Sequence, residues 1–91
     1  MSNYDIGYAI TKNMKELKID IHGLYVEDAL ERVRGFVERV PGDVERVVVV
    51  HGYNRGTALR DAIRTRLRSP RVRQVESSFF NDGETYLWLR K

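Results

Sequence analysis

From Lys18 onward the chain alternates between two hydrophobic periods. Ile19 and Ile21 alternate with Asp20 and His22 before Gly23 interrupts, the two-residue period of a short strand. Val26, Ala29, Leu30, Val33, Val37 and Val40 then recur at three- and four-residue steps, which predicts a helix. Glu27 and Asp28 fall in its first turn, where the helix dipole favours carboxylates, and Pro41-Gly42-Asp43 stops it. Val47 to Val50 is a β-branched run without polar alternation, expected of a parallel strand covered on at least part of both faces. His51-Gly52 closes that strand. A second helix is predicted from Thr57 to Arg68, with Leu59, Ala62, Ile63 and Leu67 on its apolar arc and Ser69-Pro70 as its stop. Arg66 falls inside that arc, so it must snorkel to the rim or meet an anion.

A third strand follows over about Val72 to Phe79, then Asn81-Asp82-Gly83, then a strand from Glu84 to Arg90. Asp-Gly between two strands is a hairpin signal. The order is βαβαββ, with three strands parallel and the last antiparallel to its hairpin partner. Right-handed crossovers put both helices on one face. This is an α/β two-layer sandwich, a four-stranded mixed sheet with one face open. Tyr86 and Trp88 point to that open face if Leu87 and Leu89 point to the helices. Residues 1–17 form an N-terminal arm, in which Tyr4, Ile6, Tyr8 and Ile10 alternate with small or polar residues. A strand over the open face and partial disorder are equal expectations there, and the domain proper is 18–91.

Composition narrows the class. Ninety-one residues fit one domain, and the absence of cysteine excludes disulfides, thiolate zinc sites and a catalytic thiol. The longest apolar run is far below the ~18 residues of a membrane span, and the first residues lack a secretory-signal layout. A cytoplasmic chain with no membrane partner is expected, with a monomer as the default state. The net charge of +3 is unevenly distributed. Residues 1–50 hold seven basic and nine acidic side chains, whereas residues 51–75 hold seven arginines against Asp61 alone. Arginine's planar fork suits bidentate phosphate contact, although a solvated helix face is the plainer reading of a basic run taken alone.

The chemistry gathers at strand ends. Ile21-His22-Gly23 and Val50-His51-Gly52 contain the only two histidines. Carboxyl ends of parallel strands share one edge, where open α/β sheets bind ligands. Asp20 and His22, two apart on a strand, share a face, and a carboxylate beside an imidazole orients the ring for proton transfer. Gly52, Asn54, Arg55, Gly56 and Thr57 lead into the second helix, whose N-terminus favours anions, with Arg60 and Arg64 beyond. Together these residues suggest phosphodiester recognition or cleavage. The plainer alternatives are two hydrogen-bonded turn histidines, and aromatics at 86 and 88 that pack under a tail. The loop is neither a Walker loop nor a dinucleotide fingerprint. A divalent metal on Asp20 and the histidines is compatible with the spacing but not demanded by it.

Ile19-Asp20-Ile21-His22-Gly23-Leu24, Val26-Glu27-Asp28-Ala29, and Val50-His51-Gly52 with Gly56-Thr57-Ala58-Leu59-Arg60 resemble the Smr (small MutS-related) domain, in register over Lys18 to Lys91. The resemblance implies a fold similar to the C-terminal domain of translation initiation factor three, with strand order 1-2-4-3. It implies nucleic-acid binding and, as in several members, metal-stimulated (Mg or Mn) nicking or endonuclease activity on DNA or RNA. Asp20 and His22 match the family's Asp-x-His-Gly residues implicated in cleavage, with His51 assisting as a third catalytic candidate. Gly23, Gly52, Asn54, Arg55, Gly56, Thr57, Arg60 and Arg64 are then the nucleic-acid-binding candidates. The family's Gly-Lys-Gly-x-Gly loop is changed here, since Tyr53-Asn54-Arg55 replaces the lysine and middle glycine and moves the cationic role to Arg55. The alternative function is a non-catalytic module for structured RNA or the ribosome. A small-molecule phosphate site at Gly52–Thr57 ranks third.

Overall fold

A computed structural model describes residues 8–11, 14–52 and 56–90. Its elements are β1 (Tyr8–Thr11), β2 (Met14–Asp20), α1 (Val26–Arg39), β3 (Val44–Val50), α2 (Ala58–Arg66), β4 (Val72–Ser77) and β5 (Glu84–Leu89). They form one sheet in the order β1-β2-β3-β5-β4. β2 and β3 are parallel, and β5 lies antiparallel between β3 and β4. The four strands from β2 to β5 are the mixed sheet expected from the sequence, in the order 1-2-4-3.

Residues 8–11 and 14–17 belong to the sheet. β2 begins at Met14 rather than Lys18, and Tyr8–Thr11 pairs antiparallel with it in the plane of the sheet rather than across its face. That pairing takes up backbone groups that β2 would otherwise leave at an open edge.

Strand alternation sorts the two faces. Leu17, Ile19 and Ile21, Val47 and Val49, and Leu87 and Leu89 are buried with Ala29, Leu30, Val33, Phe36 and Val37 of α1 and Ala62 and Ile63 of α2 in one core. Both helices therefore cover the same face. Val48 is also buried, on the opposite face, so the valine run is covered on both sides. α1 stops where Val40 turns extended before Pro41, whose ring disfavours a helical predecessor. α2 ends at Arg66, two residues before the predicted end at Arg68, because Leu67 is already extended.

Tyr86 and Trp88 do face the open side, where the Arg46 guanidinium lies over both rings at 4.2 and 5.2 Å and Arg73 lies 5.7 Å from Trp88. Arg46 also donates to Glu16 at 2.6 Å, and the Trp88 indole N–H donates to Glu76 at 2.8 Å. Arg66 finds its anion within the protein, reaching Glu27 at 2.6 Å. Among the described residues no helix is long and apolar enough to cross a membrane.

Candidate functional site

β2 and β3 end side by side, with Asp20 opposite Val50 and the Ile21 N–H donating to the Val50 carbonyl at 2.8 Å. Beyond Ile21 the chain turns through His22 and Gly23, with Gly23 at φ +81°. Beyond Val50, the His51 and Gly52 amides both donate to the Gly83 carbonyl, at 2.9 and 3.0 Å. This fastens the β4–β5 connection to the end of β3. Gly52 has φ +76°, and a Cβ there would sit 3.6 Å from the His22 Cβ. The two His-Gly loops are thus in van der Waals range, and the left-handed backbone, not lack of space, is what favours glycine at 52.

The two histidines have different surroundings. His22 is exposed, with 71% of its side chain accessible, and its Nδ1–H donates to the Asp20 carboxylate at 2.5 Å. The same carboxylate oxygen accepts the His22 backbone N–H at 3.0 Å. Asp20 therefore fixes both the ring and the turn that carries it.

His51 is 4% exposed. Its Nδ1 lies 2.9 Å from the Gly52 carbonyl, which can only accept, so Nδ1 carries the proton. Nε2 then accepts from the buried Thr85 hydroxyl at 2.8 Å, and Thr85 Oγ1 accepts the Arg64 Nε–H at 3.0 Å. Burial pushes the His51 pKa below its ordinary value, and Arg64 and Arg60 nearby push it the same way. The imidazole is neutral, hydrogen-bonded at both nitrogens and turned into the fold.

α2 opens the other side of this edge. Gly56 is left-handed at φ +88°, and Thr57 precedes the first turn. The Thr57 hydroxyl donates to Asp61 at 2.9 Å instead of capping the helix. That bond, followed by Arg60, holds the Asp61 carboxyl below the usual carboxylate range. Asn54 and Arg55 lie outside the described residues.

The structure thus brings Asp20, His22, Gly23 and Gly52 together at the surface, with Gly56, Thr57 and Arg60 at the start of α2. His51 and Arg64 lie behind them in the Thr85 chain. Thr85 carries that chain and lies outside the candidates that the motifs name. Its signal was a polar residue in phase with Leu87 and Leu89 on a core-facing strand.

The described donor set at this edge does not converge on a divalent ion. Asp20 already gives one oxygen to His22, and among the described residues no three His, Asp or Glu side chains converge.

Comparison with known proteins agrees with this architecture. The Smr domain family model matches residues 19–90. The crystal structure of the Smr domain of Thermus thermophilus MutS2 superimposes with a TM-score of 0.74 at 30% sequence identity. It covers 81% of this chain and 98% of that one. A comparison with curated proteins finds no match. On the extent of the family match and the shared fold, the chain belongs to the Smr domain family.

Proposed function

We propose that the chain binds nucleic acid across the carboxyl edge of its sheet and nicks it there, with Asp20 and His22 as the proton-transferring pair. Nucleic-acid binding and nicking are known of the family, which supports the reading. The observation that carries it is the 2.5 Å Asp20–His22 contact with the imidazole exposed at the loop edge. Asp20 holds Nδ1–H, so Nε2 is the atom oriented for proton exchange with substrate. Water attacks phosphorus as His22 Nε2 takes its proton, the bridging P–O bond breaks, and the leaving oxygen takes up a proton from solvent. Arg60 and the glycine-lined loops at Gly23, Gly52 and Gly56 steady the phosphate. His51 is a positioning residue, since it ties the Gly52 loop to β5. No step is assigned to a metal ion.

One observation favours a second reading, a non-catalytic module for structured RNA. Because His51 is buried and bonded at both nitrogens, a single imidazole faces solvent at this edge.

The deciding experiment is nicking of supercoiled DNA and cleavage of RNA, each with and without Mg²⁺ or Mn²⁺. The Asp20→Ala/His22→Ala variant should lose on the order of 10²-fold or more of the wild-type rate. Equal residual activity in wild type and variant removes the catalytic assignment. Salt-sensitive binding that weakens in Arg60→Ala, with no cleavage by wild type, establishes the second reading instead.

A further inference from the structure

Among the described residues, the aromatic side chains more than four-fifths exposed are Tyr25 at 83%, Phe79 at 87% and Phe80 at 89%. Isolated exposed apolar residues are ordinary. These three, however, all lie on loops at the edge that carries Asp20 and His22. Tyr25 ends the loop that starts at His22 and occupies the N-cap of α1, where it makes no side-chain capping bond. Small polar residues are favoured at such positions by about 1 kcal/mol, so folding does not account for a ring there.

Phe79 and Phe80 stand on the β4–β5 connection. That loop is held rather than loose. The Gly83 N–H donates to the Asn81 side chain at 2.8 Å, and the Glu84 N–H to the Asn81 carbonyl at 3.1 Å. The Gly83 carbonyl receives the His51 and Gly52 amides. Phe80 is three residues from Gly83, at most about 11 Å of extended chain. The two rings meet edge to face, 4.8 Å apart at 89°, so the edge of one covers one face of the other and leaves the pair's remaining faces out of that contact. Tyr86 and Trp88 differ, because arginine guanidinium groups lie over their rings.

We propose that this edge takes an unpaired single strand of nucleic acid, its bases stacked on Tyr25 and the Phe79–Phe80 pair while its backbone crosses Asp20 and His22. The inference rests on the nucleic-acid reading above and narrows it to a substrate class. β2, which leads to Tyr25, and β4, which leads to the phenylalanines, are three strand spacings apart in the sheet order, about 14 Å. Five nucleotides, four steps of about 3.4 Å, bridge that distance. Duplex bases are stacked on one another and present only their edges, whereas unpaired bases offer faces to aromatic rings. Arg60, in the first turn of α2 at the same edge, supplies the phosphate contact that an apolar protein partner would not require.

The test is fluorescence polarisation with a labelled homopolymeric single strand and a labelled duplex of equal length, at low salt. Wild type should prefer the single strand. Phe79→Ala/Phe80→Ala should weaken that binding roughly fivefold or more for each stack lost, with duplex binding and melting temperature unchanged. Both rings are almost fully exposed, so the variant should fold. Duplex binding at least as tight as single-strand binding, or an unaffected Phe79→Ala/Phe80→Ala variant, overturns the stacking rim and leaves the broader reading standing. Binding of neither probe overturns both. If the variant instead loses a concentration-dependent self-association seen by sedimentation, with strand affinity intact, the rings serve a contact between copies and the proposal falls.

Discussion

His22 and His51 sit in near-identical tripeptides and differ by strand phase. Asp20 and His22 alternate against Ile19 and Ile21, so they share the face that is not packed by helices. His51 continues the phase of Val47 and Val49, both fully buried, and is carried inward with them. Counting in twos from Val47 was enough to foresee this; the shared His-Gly dipeptide hid it. The consequence is a pH effect with a definite sign. Burial depresses the His51 pKa in the folded state, so the unfolded chain binds the extra proton more readily. Its contribution to stability is intact above the unfolded pKa of about 6.5 and is lost as pH falls below that value. Urea midpoints measured from pH 7.5 downward should therefore decline more steeply for wild type than for His51→Gln, which has no proton to gain. Parallel curves would show that another group sets the acid sensitivity.

At the scale of elements, the arginine block separates into different duties. Arg64 supports Thr85, Arg66 pairs with Glu27, and Arg68 donates to the Thr65 and Leu67 carbonyls at the end of α2. Arg71 serves α1, donating to the carbonyls of Val37, Val40 and Pro41 at 3.0, 3.1 and 2.9 Å. These lie at a helix end, where carbonyls lack partners within the helix. Arg71→Ala should therefore lower stability by about 1–3 kcal/mol in urea unfolding and leave nucleic-acid affinity unchanged. A variant of wild-type stability that binds nucleic acid more weakly would reverse that assignment. The periodicity located α1, α2, β3 and the core-facing residues of β5, because each buries one face and must repeat accordingly. It could not place β5 between β3 and β4, since strand order depends on pairing partners that no single segment encodes; only the family resemblance carried it. Nor could it anticipate that the strand stops at Ser77 and leaves Ser78 and Phe79 to the connection. Asp82-Gly83 marks a turn, but the connection runs from Ser78 to Gly83, because Gly83 is committed to the end of β3.

Over the whole molecule, the net charge of +3 misstates how much positive charge is available to a ligand. Of the arginines in the basic segment, Arg64, Arg68 and Arg71 donate to oxygen acceptors of the fold, Arg66 pairs with Glu27 at the surface, and Arg73 lies over Trp88, a side chain of the open sheet face. Arg60, whose contact is a 3.3 Å approach to its neighbour Asp61, remains at the candidate edge. The amount of phosphate contact should follow these places and not the formal count. Each phosphate neutralised on a single strand contributes a slope of about −0.7 to the dependence of log affinity on log salt. Two or three contacts at the edge give about −1.5 to −2, whereas engagement of the entire arginine segment would give about −5. Titrating a labelled single strand across a series of salt concentrations separates the two, and Arg60→Ala should flatten the slope by roughly one contact. A slope near −5 would mean that the internal arginine bonds open on binding. In that case Arg66→Ala and Arg71→Ala would also lower affinity, and the interface would extend from the Asp20–His22 edge across the helical layer.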